Sequence, residues 1–224
     1  MKKVSVILPA AGSGKRFGAE TNKIFHQLDH REIFLRTIDL FSGRDDVCQI
    51  ILIASAGDIA ELSARFGAEL ESLGVELVQG GAERSDSVRN ALARLDSSAE
   101  LVCVHDAVRP CVLPERIDAV FQAAGDTAAA MLACPLHGTI KKVAPSGQVL
   151  ATVDRDGLWE AQTPQVFEKS LLIEAYAQSG QATDDAEMVQ RTGAKVTVVQ
   201  SGPNNIKITA PQDVMFAEAV IKHE

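Results

Sequence analysis

The sequence predicts an α/β fold: a doubly wound, mostly parallel sheet with an inserted β-hairpin arm. Three observations predict it. Short continuous apolar runs rich in β-branched residues recur along the chain, as expected of strands covered on both faces. Segments with helical period separate them. One stretch, residues 136–163, breaks the alternation and has no helical period. Strand and helix in alternation argue for a parallel sheet with helices on both sides.

The strands are expected at residues 4–8, 50–53, 75–78, 101–104, 128–133 and 196–199. Between them, Phe34, Ile38 and Phe41 share one helical face, Ile59, Leu62 and Phe66 a second, and Val88, Leu92 and Leu95 a third. Near the C-terminus, Thr209-Ala210-Pro211-Gln212 reads as a capping box with Pro211 just inside the helix, ahead of Val214, Ala217 and Ile221. Within the break, residues 139–143 and 149–153 read as two short strands joined by Pro145-Ser146-Gly147. Long excursions of this kind usually serve function or association. There is no internal repeat, low-complexity tract or linker. Residues 1–224 are therefore read as a single domain, with 136–163 as an inserted arm.

Composition narrows the class. The chain has 224 residues, 46% hydrophobic and 23% charged, enough to bury a core without staples and too apolar for wholesale disorder. A net charge of −8 argues against nonspecific nucleic-acid binding, whose affinity comes from Lys and Arg on phosphates. Small anions remain possible ligands of a locally basic pocket. Cys48, Cys103, Cys111 and Cys134 form no CxxC pair and have no accompanying His-x3-His, so a structural zinc site is not expected. Cys48, Cys103 and Cys134 lie in apolar runs and read as buried, reduced thiols. The first apolar run stops at Pro9, too short for a secretory signal. No stretch approaches the roughly 20 apolar residues of a membrane span. The expectation is a cytoplasmic protein with no nucleic-acid or membrane partner.

The first strand empties into Pro9-Ala10-Ala11-Gly12-Ser13-Gly14-Lys15-Arg16-Phe17-Gly18. A glycine-rich loop there lies at the carboxyl edge of the sheet, where ligands of such folds bind. Small residues let backbone N–H groups approach phosphate oxygens. Phe17 stands where the dinucleotide fingerprint needs its third glycine. Pro9 stands at the first-glycine position of a P-loop, and Arg16 follows Lys15 where Ser or Thr belongs. A phosphate-cradling loop remains, with Lys15, Arg16 and Lys23 as its cations.

Taken with Asn22-Lys23, this loop resembles the signature of nucleotidyltransferases that activate sugar or polyol phosphates. Further motifs follow in order: Gly80-Gly81-Ala82-Glu83-Arg84-Ser85-Asp86-Ser87-Val88, Val104-His105-Asp106-Ala107-Val108-Arg109-Pro110, Thr152-Val153-Asp154-Arg155-Asp156-Gly157-Leu158-Trp159, Gln162-Thr163-Pro164-Gln165 and Asn205-Ile206-Lys207-Ile208-Thr209. Together they resemble the 2-C-methyl-D-erythritol 4-phosphate cytidylyltransferase family, from about residue 4 to 221. The sequence departs from the family pattern at Ala82, where an acidic residue can stand, and at Asn204, where Asp is frequent.

The resemblance implies a Rossmann-like nucleotidyltransferase fold and transfer of CMP from CTP to 2-C-methyl-D-erythritol 4-phosphate, with release of pyrophosphate, in the non-mevalonate isoprenoid route. The attacking phosphate monoester, with a second pKa of about 6, is largely dianionic at neutral pH, so no general base is required. The barrier is electrostatic, and cations with Mg²⁺ or another divalent ion, held mainly by CTP phosphates, lower it.

By the same resemblance Arg16 and Lys23 stabilise the transition state, and Arg155 and Lys207 orient the polyol phosphate. Pro9, Ala10, Ala11, Gly12, Gly14, Lys15, Gly80, Gly81, Ser87, Asp106, Ala107 and Arg109 are implied CTP contacts. Thr139, Arg155, Thr163, Asp184 and Lys207 are implied polyol contacts. No protein metal ligand is named. In the family the arm crosses to a partner subunit, which implies a homodimer whose Thr139 and Arg155 serve the neighbour's site. His105 reads as structural. Ribitol-5-phosphate cytidylyltransferase is the alternative activity. A noncatalytic nucleotide-binding regulator is a further alternative, but its expected signature, loss of Arg16 or Lys23, is missing.

Overall fold

The computed structural model describes residues 1–11, 22–178, 180 and 182–223. Its first apolar run forms β1 (Val4–Pro9), which lies inside a seven-stranded sheet. A pair of two-residue strands, β2 (Gln27–Leu28) and β3 (Arg31–Glu32), follows, turning through Asp29 and His30 at positive φ of 49° and 64°. Then come α1 (Ile33–Asp39), β4 (Val47–Ala54), α2 (Ala56–Ser72), β5 (Val75–Gln79), α3 (Arg84–Leu92), β6 (Leu101–Val104), α4 (Pro114–Thr127) and β7 (Ala129–Pro135). The arm strands β8 (Ile140–Val143) and β9 (Val149–Val153) precede β10 (Trp159–Glu168), α5 (Lys169–Ala177), α6 (Asp185–Gln190), β11 (Thr197–Gln200) and α7 (Pro211–Ile221).

The strand order is β11-β7-β10-β6-β1-β4-β5. Every neighbouring pair is parallel except those of β10, which runs antiparallel to both β6 and β7. Alternation along the strands builds a core on each face. Val6, Leu8 and Leu52 face the buried sides of α1, α2, α4 and α7. Ile7, Ile51 and Val104 face Val88 of α3, Leu172 of α5 and Val189 of α6. Helices on both faces of a mostly parallel sheet make the doubly wound fold that the apolar runs predict.

The differences have physical reasons. Gln162, Thr163 and Gln165 are buried in β10, so a central strand hides behind a polar sequence with a proline in it. Residues 159–163, expected in the arm, belong to the central sheet as the start of β10, with Trp159, Glu160 and Ala161 paired to β7. The arm itself is the antiparallel pair β8–β9, which bonds to no other strand. Its turn closes through Gly147 at φ 84°, with Gly147 N–H donating to Ala144 O at 2.9 Å. At α7 the capping acid is Asp213 and not Gln212. Its carboxylate accepts from Thr209 N at 2.7 Å, Thr209 Oγ1 at 2.9 Å and Ala210 N at 2.8 Å. All four cysteines are free thiols, and Cys48 is only half-buried.

Candidate active site

The carboxyl ends of β1, β4, β5 and β6 open on one edge of the sheet. Ala10 N–H continues the β1 ladder to Ile53 O at 2.8 Å, and Gly80 N–H reaches Ala54 O at 2.8 Å. A Cβ at Gly80 would stand 2.9 Å from both the Ala11 Cβ and the Ser87 Oγ, so only glycine lets the second loop lie against the first. Ser87 Oγ accepts from Gly81 N at 3.0 Å and donates to Glu83 O at 3.0 Å. Its hydroxyl shapes the loop from inside. Arg84, at the start of α3, is forked onto the buried Asp185 of α6 at 3.1 and 2.5 Å, and Tyr176 of α5 donates to the same carboxylate. Gly12, Gly14, Lys15 and Arg16 lie outside the described residues.

Lys23 starts a 3-10 turn, Lys23–Phe25, whose other residues Ile24 and Phe25 are buried. Phe25 stacks on Phe66 with centroids 6.2 Å apart. Asn22 caps the turn and donates to Asp58 at 2.9 Å. The turn thus sits on packed aromatic rings, and Lys23 Nζ donates to Ile208 O at 3.0 Å. Ile208 N–H in turn donates to Val108 O at 2.9 Å, docking the loop that carries Lys207 onto the loop after β6.

That second loop holds the charge cluster. Asp106 Oδ2 accepts from Arg109 Nε and from Lys207 Nζ, each at 3.0 Å. Arg109 also donates to Asn205 O at 2.7 Å. Burial alone would raise the Asp106 pKa, but the Lys207 ammonium and Arg109 guanidinium outweigh it and hold the carboxyl well below its usual range. Two cations to one carboxylate leave the cluster net positive. Ala107 N–H donates to Pro9 O at 3.3 Å, which joins the cluster to the first glycine loop.

His105 is fully buried beneath the cluster. The Arg109 carbonyl, 3.0 Å from Nε2, can only accept, so Nε2 carries the proton. Nδ1 then accepts from Thr163 Oγ1 at 3.1 Å, and that oxygen accepts from Asp106 N at 3.1 Å. Burial pushes the His105 pKa down to about 4, so the ring is neutral and both its nitrogens are engaged. It is a structural residue, as the sequence suggests. Thr163, expected at the polyol, gives its hydroxyl proton to His105 and so has no donor left for a substrate.

The remaining expected residues lie elsewhere. Asp184 caps α6, accepting from Glu187 N at 2.8 Å and Gln165 Nε2 at 3.0 Å. Thr139 and Arg155 are exposed on the arm, and Arg155 donates to His137 O at its base. Ala82 and Asn204 are also exposed. A cavity of about 510 Å³ adjoins the cluster, lined by Arg109, His137, Gln162, Asn205 and Lys207 among others. A larger hollow of about 960 Å³ opens near Met1, Lys2 and Phe121, away from these residues, and its Arg44 is already paired with Asp46 and Asp118. Gln162 and Asn205 stand in the sequence motifs without an assigned role. Their signal was the presence of amides with no chemistry to perform.

A glycine-lined loop at the carboxyl edge of a mostly parallel sheet, beside a net-positive cluster and a cavity, fits the class of transferases that handle nucleotides and phosphorylated substrates. Residues 4–223 match the sequence model of 2-C-methyl-D-erythritol 4-phosphate cytidylyltransferase. The protein of that name from Rhodopirellula baltica is 41% identical, with 97% of this chain and 94% of that protein covered. The one from Symbiobacterium thermophilum is 42% identical, covering 99% and 94%. The crystal structure of the Thermus thermophilus protein superposes with a TM-score of 0.81 at 32% identity, covering 98% of this chain and 99% of that one. This chain belongs to the 2-C-methyl-D-erythritol 4-phosphate cytidylyltransferase family.

Proposed function

We propose that this chain joins CTP to 2-C-methyl-D-erythritol 4-phosphate, forming the CDP-linked polyol and pyrophosphate. A phosphate oxygen of the polyol attacks the α-phosphorus of CTP, and the bond from that phosphorus to the bridging oxygen of pyrophosphate breaks. The attacker is already dianionic. No proton needs removing, in keeping with a buried, neutral His105.

The observation that carries the reading is the hydrogen bond from Lys23 to the carbonyl next to Lys207. It sets a cation assigned to CTP beside a cation assigned to the polyol phosphate. Lys23 and Arg16 then neutralise charge on the transferring phosphoryl group and the departing pyrophosphate. Lys207, pre-ordered on Asp106, holds the incoming phosphate, and Arg109, bonded to the same carboxylate, serves the CTP side. Ala11, Gly80, Gly81 and Ser87 shape the nucleotide side.

Among the described residues no group of three or more His, Cys, Asp or Glu is placed to hold a metal ion. Asp106, a single ionised carboxylate, fits one coordination position of Mg²⁺, the others falling to CTP phosphates and water. When bound, the ion supplies further neutralisation of the triphosphate.

The arm completes the reading as a homodimer contact. Val143, Val149 and Leu150 are 50, 57 and 58% exposed, and an isolated hairpin is marginal in water. A second copy offers a matching apolar surface and brings Thr139 and Arg155 to the neighbour's cluster. A cytoplasmic location is part of the same proposal, supported by four free thiols. No described helix is long and apolar enough to cross a membrane. The test is pyrophosphate release from CTP with methylerythritol phosphate or with ribitol 5-phosphate, each with and without Mg²⁺. Turnover with methylerythritol phosphate is expected; turnover with ribitol 5-phosphate alone would overturn the reading.

A further inference from the structure

We infer that Asn205 is a positioning residue for the polyol phosphate, acting through Lys207. The inference rests on the reading of Lys207 as the cation that meets that phosphate. Asn205 is 4% exposed and stands two residues before Lys207. Its Nδ2 donates to Gln162 Oε1 at 3.1 Å and to Thr163 O at 2.9 Å. Both partners are acceptors, so the orientation of the amide is determined. Its Oδ1 is buried and meets no donor among the described residues, so the polar work of the side chain falls to the amino group, on β10.

Gln162 returns the grip by donating to Gly202 O at 3.2 Å. Two side-chain amides thus clamp the Lys207 loop to the antiparallel strand. That strand also supplies Thr163, which holds the Asp106 backbone through its hydroxyl. Asp106, in turn, holds the Lys207 ammonium. The clamp therefore joins the two ends of one salt bridge: the loop that carries the cation, and the strand that sets its carboxylate. The Asn205 carbonyl adds a third link by accepting from Arg109, the other cation on Asp106.

Without the Asn205 amide, the loop keeps its bond from Ile208 N–H to Val108 O, the contact from Lys23 and the Gln162 bond to Gly202 O, but loses both bonds that tie position 205 to β10. The nucleotide loop around Gly80 and Ser87 hangs from β4, β5 and α3 and, among the described residues, makes no bond to the Asn205 or Gln162 side chain, and Arg109 bonds the Asn205 backbone carbonyl, which the substitution leaves in place. Damage should therefore fall on one substrate.

The experiment compares Asn205→Ala, Lys207→Ala, their double variant and Gln162→Ala in steady-state kinetics and thermal melts. Asn205→Ala is expected to raise KM for the polyol phosphate about tenfold, with KM for CTP changed by less than about twofold. In the Lys207→Ala background it should add nothing to the polyol KM, because a residue acting through Lys207 has nothing left to position. Gln162→Ala, which leaves the bond to Thr163, should shift the polyol KM in the same direction by less, and it decides the matter if Asn205→Ala does not fold. Equal rises in both KM values, full additivity with Lys207→Ala, or an unchanged polyol KM in the clamp variants would each overturn the inference. An unchanged polyol KM in Lys207→Ala itself would overturn the assignment of Lys207 and the inference with it, a result distinct from failure of the clamp alone.

Discussion

Lys23 and His105 show how differently two polar residues serve one site. Lys23 rides on a turn whose apolar residues are buried while its own ammonium bonds the Ile208 carbonyl, so truncation should remove charge without removing core. Lys23→Ala is expected to lower kcat about 100-fold or more, the loss of roughly 3 kcal/mol of transition-state stabilisation. Its melting temperature should stay near wild type. Steady-state kinetics and a thermal melt check both; a near wild-type kcat in folded protein would remove Lys23 from the mechanism. His105 acts on stability instead. Its folded pKa, lowered from 6.5 to about 4, means that the unfolded chain binds a proton in this window and the folded one does not. Stability is therefore present above pH 6.5 and is lost as pH falls toward 4, by about 3 kcal/mol at about 1.4 kcal/mol per unit. Asp106 adds to the loss as pH falls through and below the ordinary carboxylate range, where the unfolded chain takes up a proton that the folded one, its pKa depressed, does not. Denaturant titrations from pH 7 to 4 should show this slope in wild type and a flatter one in His105→Asn. Parallel slopes would mean that His105 already titrates normally.

At the scale of elements, the helix α4 ends in a conformation its sequence does not favour. Ala128 closes it at φ 68°, a left-handed cap where a Cβ is strained and glycine is the usual residue. Ala128→Gly is expected to stabilise the fold by about 0.5–1 kcal/mol, the relief of strain exceeding the entropy glycine loses. Chemical denaturation measures it, and a lower midpoint would show that the cap tolerates alanine. Continuous apolar runs such as 50–53 revealed parallel strands because burial on both faces leaves no alternation to misread. β10 stayed hidden because its buried stretch, besides Val166 and Phe167, holds Gln162, Thr163 and Gln165, whose burial is made tolerable by bonds to Gly202, His105, Asp184 and Ala186 that no local pattern announces. The same reason explains the site. Lys23, Asp106, Arg109 and Lys207 were readable as charged residues in motifs. The relay from Asp106 through Thr163 to His105, and the Asn205–Gln162 clamp, depend on contacts between residues about 40 to 60 positions apart, which spacing does not encode.

For the whole molecule, the position of Arg155 is the informative feature. Its guanidinium bonds to His137 at the base of its own arm, while the cations on the Asp106 carboxylate are Arg109 and Lys207. The arm also exposes the apolar side chains that a hairpin of this size needs to cover. Both facts follow if the arm reaches a second copy across a two-fold axis, because each subunit then gives an arm and receives one. Such an enzyme has composite sites, and two inactive variants should complement. Lys23→Ala subunits lack a residue of the receiving site, and Arg155→Ala subunits lack one on the arm. In a heterodimer, one site carries both lesions and the other neither. Random exchange makes about half of the dimers mixed, so about a quarter of wild-type activity should return when the two inactive proteins are mixed. Subunit exchange is followed separately, with differently tagged chains, and the oligomeric state by sedimentation at assay concentration. Exchange without recovered activity would place Arg155 in the site of its own subunit, and a monomer in the active enzyme would remove the composite site altogether.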